Sequence, residues 1–329
     1  MRKGLVIFVV VNLVILGVIL NEVFTLITLL FEDCSKDAIH AIDIPALNSS
    51  FVDLRPQLIP KIIHQTWQDE SIPEKWQVPQ QSCIDLHSDY EYKLWTDKKS
   101  REFIATEYPW FLETFDGYPY PIMRADSIRY FVLAHFGGVY VDLDDGCSRR
   151  LDPLLTYPAW LRKTTPTGIS NDAMGSIPQH PFFLRVIDSL QPYNRRWPLP
   201  YVTVMYSTGP MFLSVIWKEY IRWGTTEEAR VRVLMPEEYN KHPWSFFTVY
   251  KGSSWHDDDA KAVFWMGRHW LFLTFLVPSI LAVLYFFGFW VYKRRYTRNT
   301  VYSEKPKTSR FWWRRGTPTG FKRLSQHEV

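Results

Sequence analysis

Residues 125–147 read ADSIRYFVLAHFGGVYVDLDDGC, and the rest of the chain is arranged around this run. Ile122, Ala125, Ile128, Arg129, Val132, Leu133 and Phe136 recur at helical spacing as a largely apolar stripe. Gly137-Gly138 ends that helix, and Val139-Tyr140-Val141 reads as a buried strand. Asp142 and Asp144 follow where the strand turns, and alternate strand residues project to one side, so the two carboxylates can converge. Adjacent carboxylates without a cation repel and raise a pKa. A divalent metal removes that conflict and can bind a diphosphate on its other side.

Three metal or phosphate readings compete for these acids. An EF-hand loop starting at Asp142 fails, because its fifth position is Gly146 and its twelfth is Pro153 instead of a bidentate Glu. A phosphatase of the haloacid-dehalogenase type expects Thr or Val two residues past the second Asp, where this chain has Gly146. The third reading is the Asp-x-Asp motif of a sugar-nucleotide transferase, and the preceding helix favours it. Asp126 and Arg129 lie one helical turn apart on one face. As an exposed ion pair they would contribute about 0.3–0.5 kcal/mol; with the Gly-Gly turn between them and Asp142, both can instead approach a sugar bound at the metal.

Outward from this run, Leu58 to Trp67 is a short apolar strand ending in His64, Gln65, Thr66 and Trp67, and functional groups gather at such strand ends in open α/β sheets. Tyr90 to Trp95 alternates as a second strand, and helical patterning runs from Lys98 to Phe115. Ile169 to Met174 is a further strand with a polar turn, and Pro181 to Leu190 is helical. Pro192 to Pro200 is a loop, a helix starts near Ser207-Thr208-Gly209-Pro210, and Val231 to Met235 is a last strand. Strand, helix and strand in this order predict an α/β domain with a mostly parallel sheet and helices on both faces.

Both ends of the chain suggest membrane. Gly4 to Leu20 carries no charge, and no small-residue cleavage site follows it, so residues 1–31 read as a signal anchor. Residues 32–57 lack periodicity and read as a stem, and residues 58–265 as the folded domain. Residues 270–292 form a second apolar span, followed by a basic tail over 293–329. That tail holds eleven Lys or Arg against Glu304 and Glu328, so the middle of the chain is acidic in balance although the whole carries +4. The basicity therefore belongs to the tail and gives no reason to expect nucleic acid; it suits anionic lipid headgroups. Basic residues at the outer end of both spans place both termini in the cytosol and the domain in a lumen. Asn48-Ser49-Ser50 is the one N-glycosylation sequon. Cys34, Cys83 and Cys147 allow three pairings, which spacing does not decide, and none suggests a zinc site.

Arg124 to Tyr130, followed by Gly137 to Asp144, resembles the signature of family 32 glycosyltransferases. The resemblance implies a GT-A fold, a nucleotide-sugar donor, a divalent metal (Mn2+ or Mg2+) and retention of anomeric configuration. It extends to Ile62 to Trp67, similar to the family's first strand, and makes His64, Gln65 and Trp67 donor contacts, with Trp67 stacking on the base. Asp126 and Arg129 would hold the donor sugar, and Asp142 and Asp144 the metal and diphosphate. Asn171-Asp172 and the following His180-Pro181-Phe182-Phe183 match a block whose polar residues face donor or acceptor, and His256 resembles a late histidine that completes the metal site. Within the family the chain is most similar to fungal catalytic subunits of mannosyl-inositolphosphoceramide synthase. That implies GDP-mannose as donor, inositolphosphoceramide as acceptor, a small regulatory membrane subunit and a Golgi membrane. A mannosyltransferase acting on protein glycans and a transferase-like scaffold without chemistry are the alternatives.

Overall fold

The computed structural model describes residues 2–46, 53–165, 167–222, 224–236, 245–250, 252 and 258–303. The chain divides into two units, Met1–Lys261 and Ala262–Val329.

In the first unit the strands are β1 (Ala38–Ile39), β2 (Ile62–Thr66), β3 (Glu91–Trp95), β4 (Gly138–Val141), β5 (Asp145–Cys147), β6 (Ala159–Lys163), β7 (Ile169–Ser176), β8 (Val231–Leu234) and β9 (Phe247–Val249). Seven of them form one sheet in the order β1-β8-β6-β7-β4-β2-β3, while β5 and β9 pair separately. Four of the six pairings in the large sheet are parallel, and β7 alone runs against its neighbours. The expectation of a mostly parallel α/β sheet holds. Reversal of β7 has a use: its first residues lie at the same sheet edge as the last residues of β4, with Ala173 opposite Val141.

The helices of this unit are α1 (Arg2–Leu30), α2 (Glu74–Leu86), α3 (Asp97–Glu107), α4 (Leu112–Asp116), α5 (Pro121–Phe136), α6 (Pro181–Tyr193), α7 (Pro200–Ser207) and α8 (Pro210–Ile221). Pro121 occupies the first turn of α5, where its missing N–H costs nothing. Gly137 and Gly138 then turn the chain with φ of 66° and 94°. A Cβ at either would come within 2.7 Å of Ser176 O or Ile62 O, so no other residue lets β4 start this close to its neighbours. All four residues of β4 are buried. Tyr140 faces one core with Phe111, Phe131 and Phe182, and Val139 and Val141 face the other with Trp160 and Phe247.

Several expectations change. The single helix expected over 98–115 breaks at Tyr108-Pro109, where proline disfavours helix in the residue before it. Helix α2 carries Pro79 in its interior and buries Trp76, Pro79 and Cys83, so its apolar pattern is too sparse to read. Of the stem expected over 32–57, the described residues 32–46 and 53–57 instead pack into the domain: β1 pairs with β8, Cys34 and Ile39 are buried, and Arg55 bonds to Tyr157. The short segments in this region are built by contacts with strands nearly two hundred positions later, which local periodicity does not report.

The carboxy end of α1 is part of the domain surface. Leu29 is buried, Thr167 donates to Leu29 O at 2.7 Å, and Arg222 donates to Thr25 at 2.7 Å. Val9–Val18 and Val23–Leu30 are bent from one another by 60°, so this end offers a span only if the bent pair is counted as one. Helix α9 (Asp258–Arg268) begins in the first unit; α10 (Trp270–Ser303) belongs to the second, and its stretch Trp270–Arg295 has a mean hydropathy of 2.2 and is long and apolar enough to cross a membrane. Of the two expected spans, this one is met. Asn48 lies outside the described residues.

Candidate active site

The site forms where β4 ends, at the edge that also carries the end of β2 and the start of β7. Asp142 follows β4 directly, and its N–H donates to Asp172 O at 2.7 Å. The chain turns through Leu143 and Asp144, and Asp145 opens β5. Asp142 and Asp144 thus lie on a turn instead of a continuing strand.

One connected network holds the acids. Arg129 lies almost wholly out of water. Its guanidinium is 3.2 Å from Asp126 Oδ1 and 3.3 Å from Asp142, donates to Asn171 O at 2.7 Å, and stacks over the Tyr140 ring at 4.7 Å. The helix-surface alternative for the Asp126–Arg129 pair is therefore excluded. Asp126 accepts from Asn171 Nδ2 and Thr208 Oγ1, both at 3.0 Å. Tyr140 donates to Asp142 Oδ1 at 2.6 Å and shares a hydrogen bond with Thr66 at 2.9 Å. Segments from β2, β4, α5, β7 and the loop before α8 therefore meet through side chains, so each member's rotamer depends on the others.

A second cation escapes sequence reading. Arg162, on β6 where the register against β7 slips, lies 2.7 Å from Asp145 and 2.7 Å from Asp172. Tyr140, Thr66 and Thr208 are likewise members that no motif marks. Asp145 is buried and paired with Arg162, which suits a supporting part.

Four carboxylates, Asp126, Asp142, Asp145 and Asp172, pair with the two guanidiniums of Arg129 and Arg162, and Asp144 adds a fifth within reach of the Asp142 charge. Burial raises the pKa of Asp126, Asp142 and Asp145. Asp144 rises to about 6, through burial first and the Asp142 charge second. Desolvated acids in excess of their cations form a site that added positive charge would stabilise, so the donor set fits a hard divalent metal with Asp142 and Asp144 as ligands. Among the described residues no three His, Cys, Asp or Glu side chains gather as a complete metal site. His256, expected to complete it, lies outside the described residues. The segment leading toward it reaches the acids: Tyr250 N donates to Asp144 O at 2.7 Å, and the Gly252 backbone is so close that a Cβ there would collide with the Asp144 carboxylate.

The β2 expectations divide. His64 is fully buried, its Nε2 2.9 Å from Gly137 O and its Nδ1 accepting from Trp95 Nε1 at 3.0 Å. Burial lowers its pKa to about 4, so it is neutral, with Nε2 the donor. Gln65 is also fully buried, and its Oε1 accepts from Tyr92 at 2.8 Å. Both are corrected from donor contacts to internal ties, because β2 is flanked by strands on both sides and covered on both faces. Trp67, just past the strand end, is half-buried, and its indole N–H has no partner among the described residues. Asn171 and Asp172 join the network through Asp126 and Arg162.

Cys83 and Cys147 form a disulfide that ties α2 to β5 two residues beyond Asp145, and Cys34 is a buried free thiol. The pairing that spacing left open is settled.

Comparison with known proteins follows the same residues. Residues 73–160 match the family described as a glycosyltransferase sugar-binding region containing a DXD motif. Mannosyl phosphorylinositol ceramide synthase CSH1 of Saccharomyces cerevisiae is 52% identical over 301 residues, covering 90% of this chain and 78% of the relative. Inositol phosphoceramide mannosyltransferase 3 of Schizosaccharomyces pombe is 55% identical over 234 residues, covering 70% of this chain and 66% of the relative. A solved glycosyltransferase, PaToxG, aligns with a TM-score of 0.38 at 16% identity over 50% of this chain and 70% of its own. With the family match spanning Asp126, Arg129, Asp142 and Asp144, and half identity maintained across nine-tenths of the sequence, the chain belongs to the DXD-containing glycosyltransferases.

Proposed function

We propose that the chain is a metal-dependent, retaining mannosyltransferase of GT-A type that moves mannose from GDP-mannose to inositol phosphoceramide. The observation that carries this reading is its 52% identity to a mannosyl phosphorylinositol ceramide synthase across 90% of its length. The carboxylate-rich edge with its two buried arginines supplies a fitting chemistry.

Trp67, half-buried just past the end of β2, stacks on the nucleotide base. Asp126 and Arg129 orient the sugar, and Asn171 and Asp172 shape its pocket. Asp142, Asp144 and His256 would hold a divalent cation, which would supply positive charge to neutralise the diphosphate and stabilise the leaving nucleotide. Arg129, fixed by four neighbours, keeps Asp142 in place without reorganising as charge develops. Among the described residues Asp126, Asp145 and Asp172 are each paired with an arginine, which leaves none of the three free to act as a nucleophile. Transfer therefore proceeds at the front face through an oxocarbenium-like state, and the departing phosphate oxygen takes the acceptor proton.

The domain faces the Golgi lumen, with both termini cytosolic and a small regulatory membrane subunit as partner. The Cys83–Cys147 disulfide supports an oxidising compartment, and the Trp270–Arg295 helix supports membrane attachment. Asn48 then carries a glycan removable by endoglycosidase.

Membranes containing the full chain, supplied with labelled GDP-mannose, test the reading. Label should enter inositol phosphoceramide, and Asp142→Ala or Asp144→Ala should abolish it while the protein stays folded. Label in protein glycans instead, or near-normal turnover by either variant, would overturn it.

A further inference from the structure

Between α6 and α7 the chain reads Asn194-Arg195-Arg196-Trp197-Pro198-Leu199, and no step above uses it. Arg195, Arg196 and Trp197 are exposed, and neither arginine makes an ion pair among the described residues. Exposed apolar and basic groups on a loose loop would mean little. This loop is built. Ser207 Oγ, fully buried, accepts from Arg195 N at 3.3 Å and donates to Arg195 O at 3.1 Å. Buried Thr203 accepts from Trp197 N at 2.9 Å and donates to Trp197 O at 3.2 Å. Both backbone groups of Arg195 and of Trp197, the residues on either side of Arg196, are therefore fixed from α7, which holds the loop in one outward presentation.

The same helix connects the loop to the catalytic network. Ser207, which brackets Arg195, is followed by Thr208, whose hydroxyl holds Asp126 at 3.0 Å. The Arg195 backbone is thus linked to Asp126 through the Ser207 hydroxyl, the Ser207–Thr208 peptide and the Thr208 hydroxyl. Trp197 rests near Tyr206, with ring centroids 6.2 Å apart, which leaves the indole half-exposed beside the arginines. The amino end of α7 is already occupied, since Tyr201 N donates to Asp259 at 2.6 Å, so an arriving anion meets the arginines and not the helix end. Asp259 also stands only eleven residues before Trp270, where the apolar helix begins.

Two unpaired guanidiniums suit a phosphodiester, whose oxygens match their forked donors, and an indole with an apolar body and polar edge suits the boundary of a bilayer. We propose that the Arg195–Trp197 loop receives the phosphodiester of the acceptor lipid headgroup and so positions inositol toward the sugar held at Asp126. This rests on the inositol phosphoceramide reading.

Steady-state kinetics on the full chain in membranes, comparing wild type with Arg195→Gln/Arg196→Gln, tests it. KM for inositol phosphoceramide should rise about tenfold or more, as expected for loss of charged hydrogen bonds, while KM for GDP-mannose stays within twofold. Arg195→Lys/Arg196→Lys should recover only the part that charge supplies, leaving the acceptor KM between those of wild type and the glutamine variant. An unchanged acceptor KM, or equal losses for donor and acceptor, overturns the proposal. Inositol 1-phosphate should compete with the lipid for wild type and much less for the glutamine variant; inorganic phosphate competing equally well would mark a free-phosphate site and overturn the headgroup assignment. If wild type fails to mannosylate inositol phosphoceramide, the function reading is what fails. Binding to phosphatidylinositol vesicles then decides the loop: weaker binding by the glutamine variant supports a phosphodiester site, and equal binding removes it.

Discussion

Arg162 on β6 lies 2.7 Å from Asp145 on β5, with side-chain exposures of 5% and 2%. The same guanidinium also meets Asp172, which makes it the charge that lets β5 and β7 bring acids to one edge. Replacing Arg162 with Met leaves Asp145 buried without its cation, a loss of about 3–5 kcal/mol. Urea unfolding followed by tryptophan fluorescence should show a clear drop in midpoint. Lysine should restore little, because one ammonium cannot reproduce a fork to two carboxylates. A midpoint equal to wild type in Arg162→Met would disprove the bridging role.

Arg129 should fail differently. Its side chain touches Asp126, Asp142 and Asn171 together, and lysine retains the charge but reaches at most part of that set. Arg129→Lys is expected to lower kcat/KM by about a hundredfold, near 2.7 kcal/mol of transition-state stabilisation. Circular dichroism should remain native. A less than threefold loss would mean that the guanidinium geometry is dispensable.

The two halves of this site were unequally legible before the fold was known. Asp126, Arg129, Asp142 and Asp144 fall within twenty residues, and helical and strand periods suffice to bring them together. Arg162 is different: AWLRK reads as an ordinary strand, and its acids come from β5 and β7 across a sheet whose order local pattern does not encode. Tyr140 was hidden by the apolar run that made β4 recognisable. His64 and Gln65 misled for the opposite reason, since polar residues near a strand end look like ligand contacts until flanking strands are known to bury them. The reverse strand β7 and β1 also depend on distant pairing, and the sheet edge at β1 used residues that look like a linker.

The cysteines give a counting test. Native protein should take up no alkylating reagent, because Cys83 and Cys147 are bonded and burial pushes the Cys34 thiol up to about 12. Unfolded, unreduced protein should take up one equivalent, and unfolded, reduced protein three. Cys83→Ser/Cys147→Ser releases a 64-residue separation and should cost about 4 kcal/mol in the chain-entropy description. Because Cys147 lies two residues beyond Asp145, turnover should fall as the acid turn loses its covalent tether to α2. Two labelled thiols in the native protein would contradict the pairing.

His64 should make the fold acid-labile. Burial lowers its pKa from 6.5 to about 4, while Nε2–H donates to Gly137 O and Nδ1 accepts from Trp95. Between these values the unfolded chain binds the proton that the folded chain refuses, so stability is complete above about 6.5 and declines as pH falls toward 4. At 1.36 kcal/mol per pKa unit, the full loss approaches about 3 kcal/mol. Asp144, raised to about 6, acts in the opposite sense over an overlapping window: its folded form keeps a proton longer, which favours the fold at lower pH. Raw stability against pH therefore mixes the two. Comparing wild type with His64→Gln in urea at pH 7.5 and pH 5 separates them, since glutamine keeps a donor and an acceptor but cannot titrate. The variant should be less stable than wild type at pH 7.5, with a smaller difference at pH 5. A gap that stays constant or widens on acidification would show that His64 carries no such proton linkage.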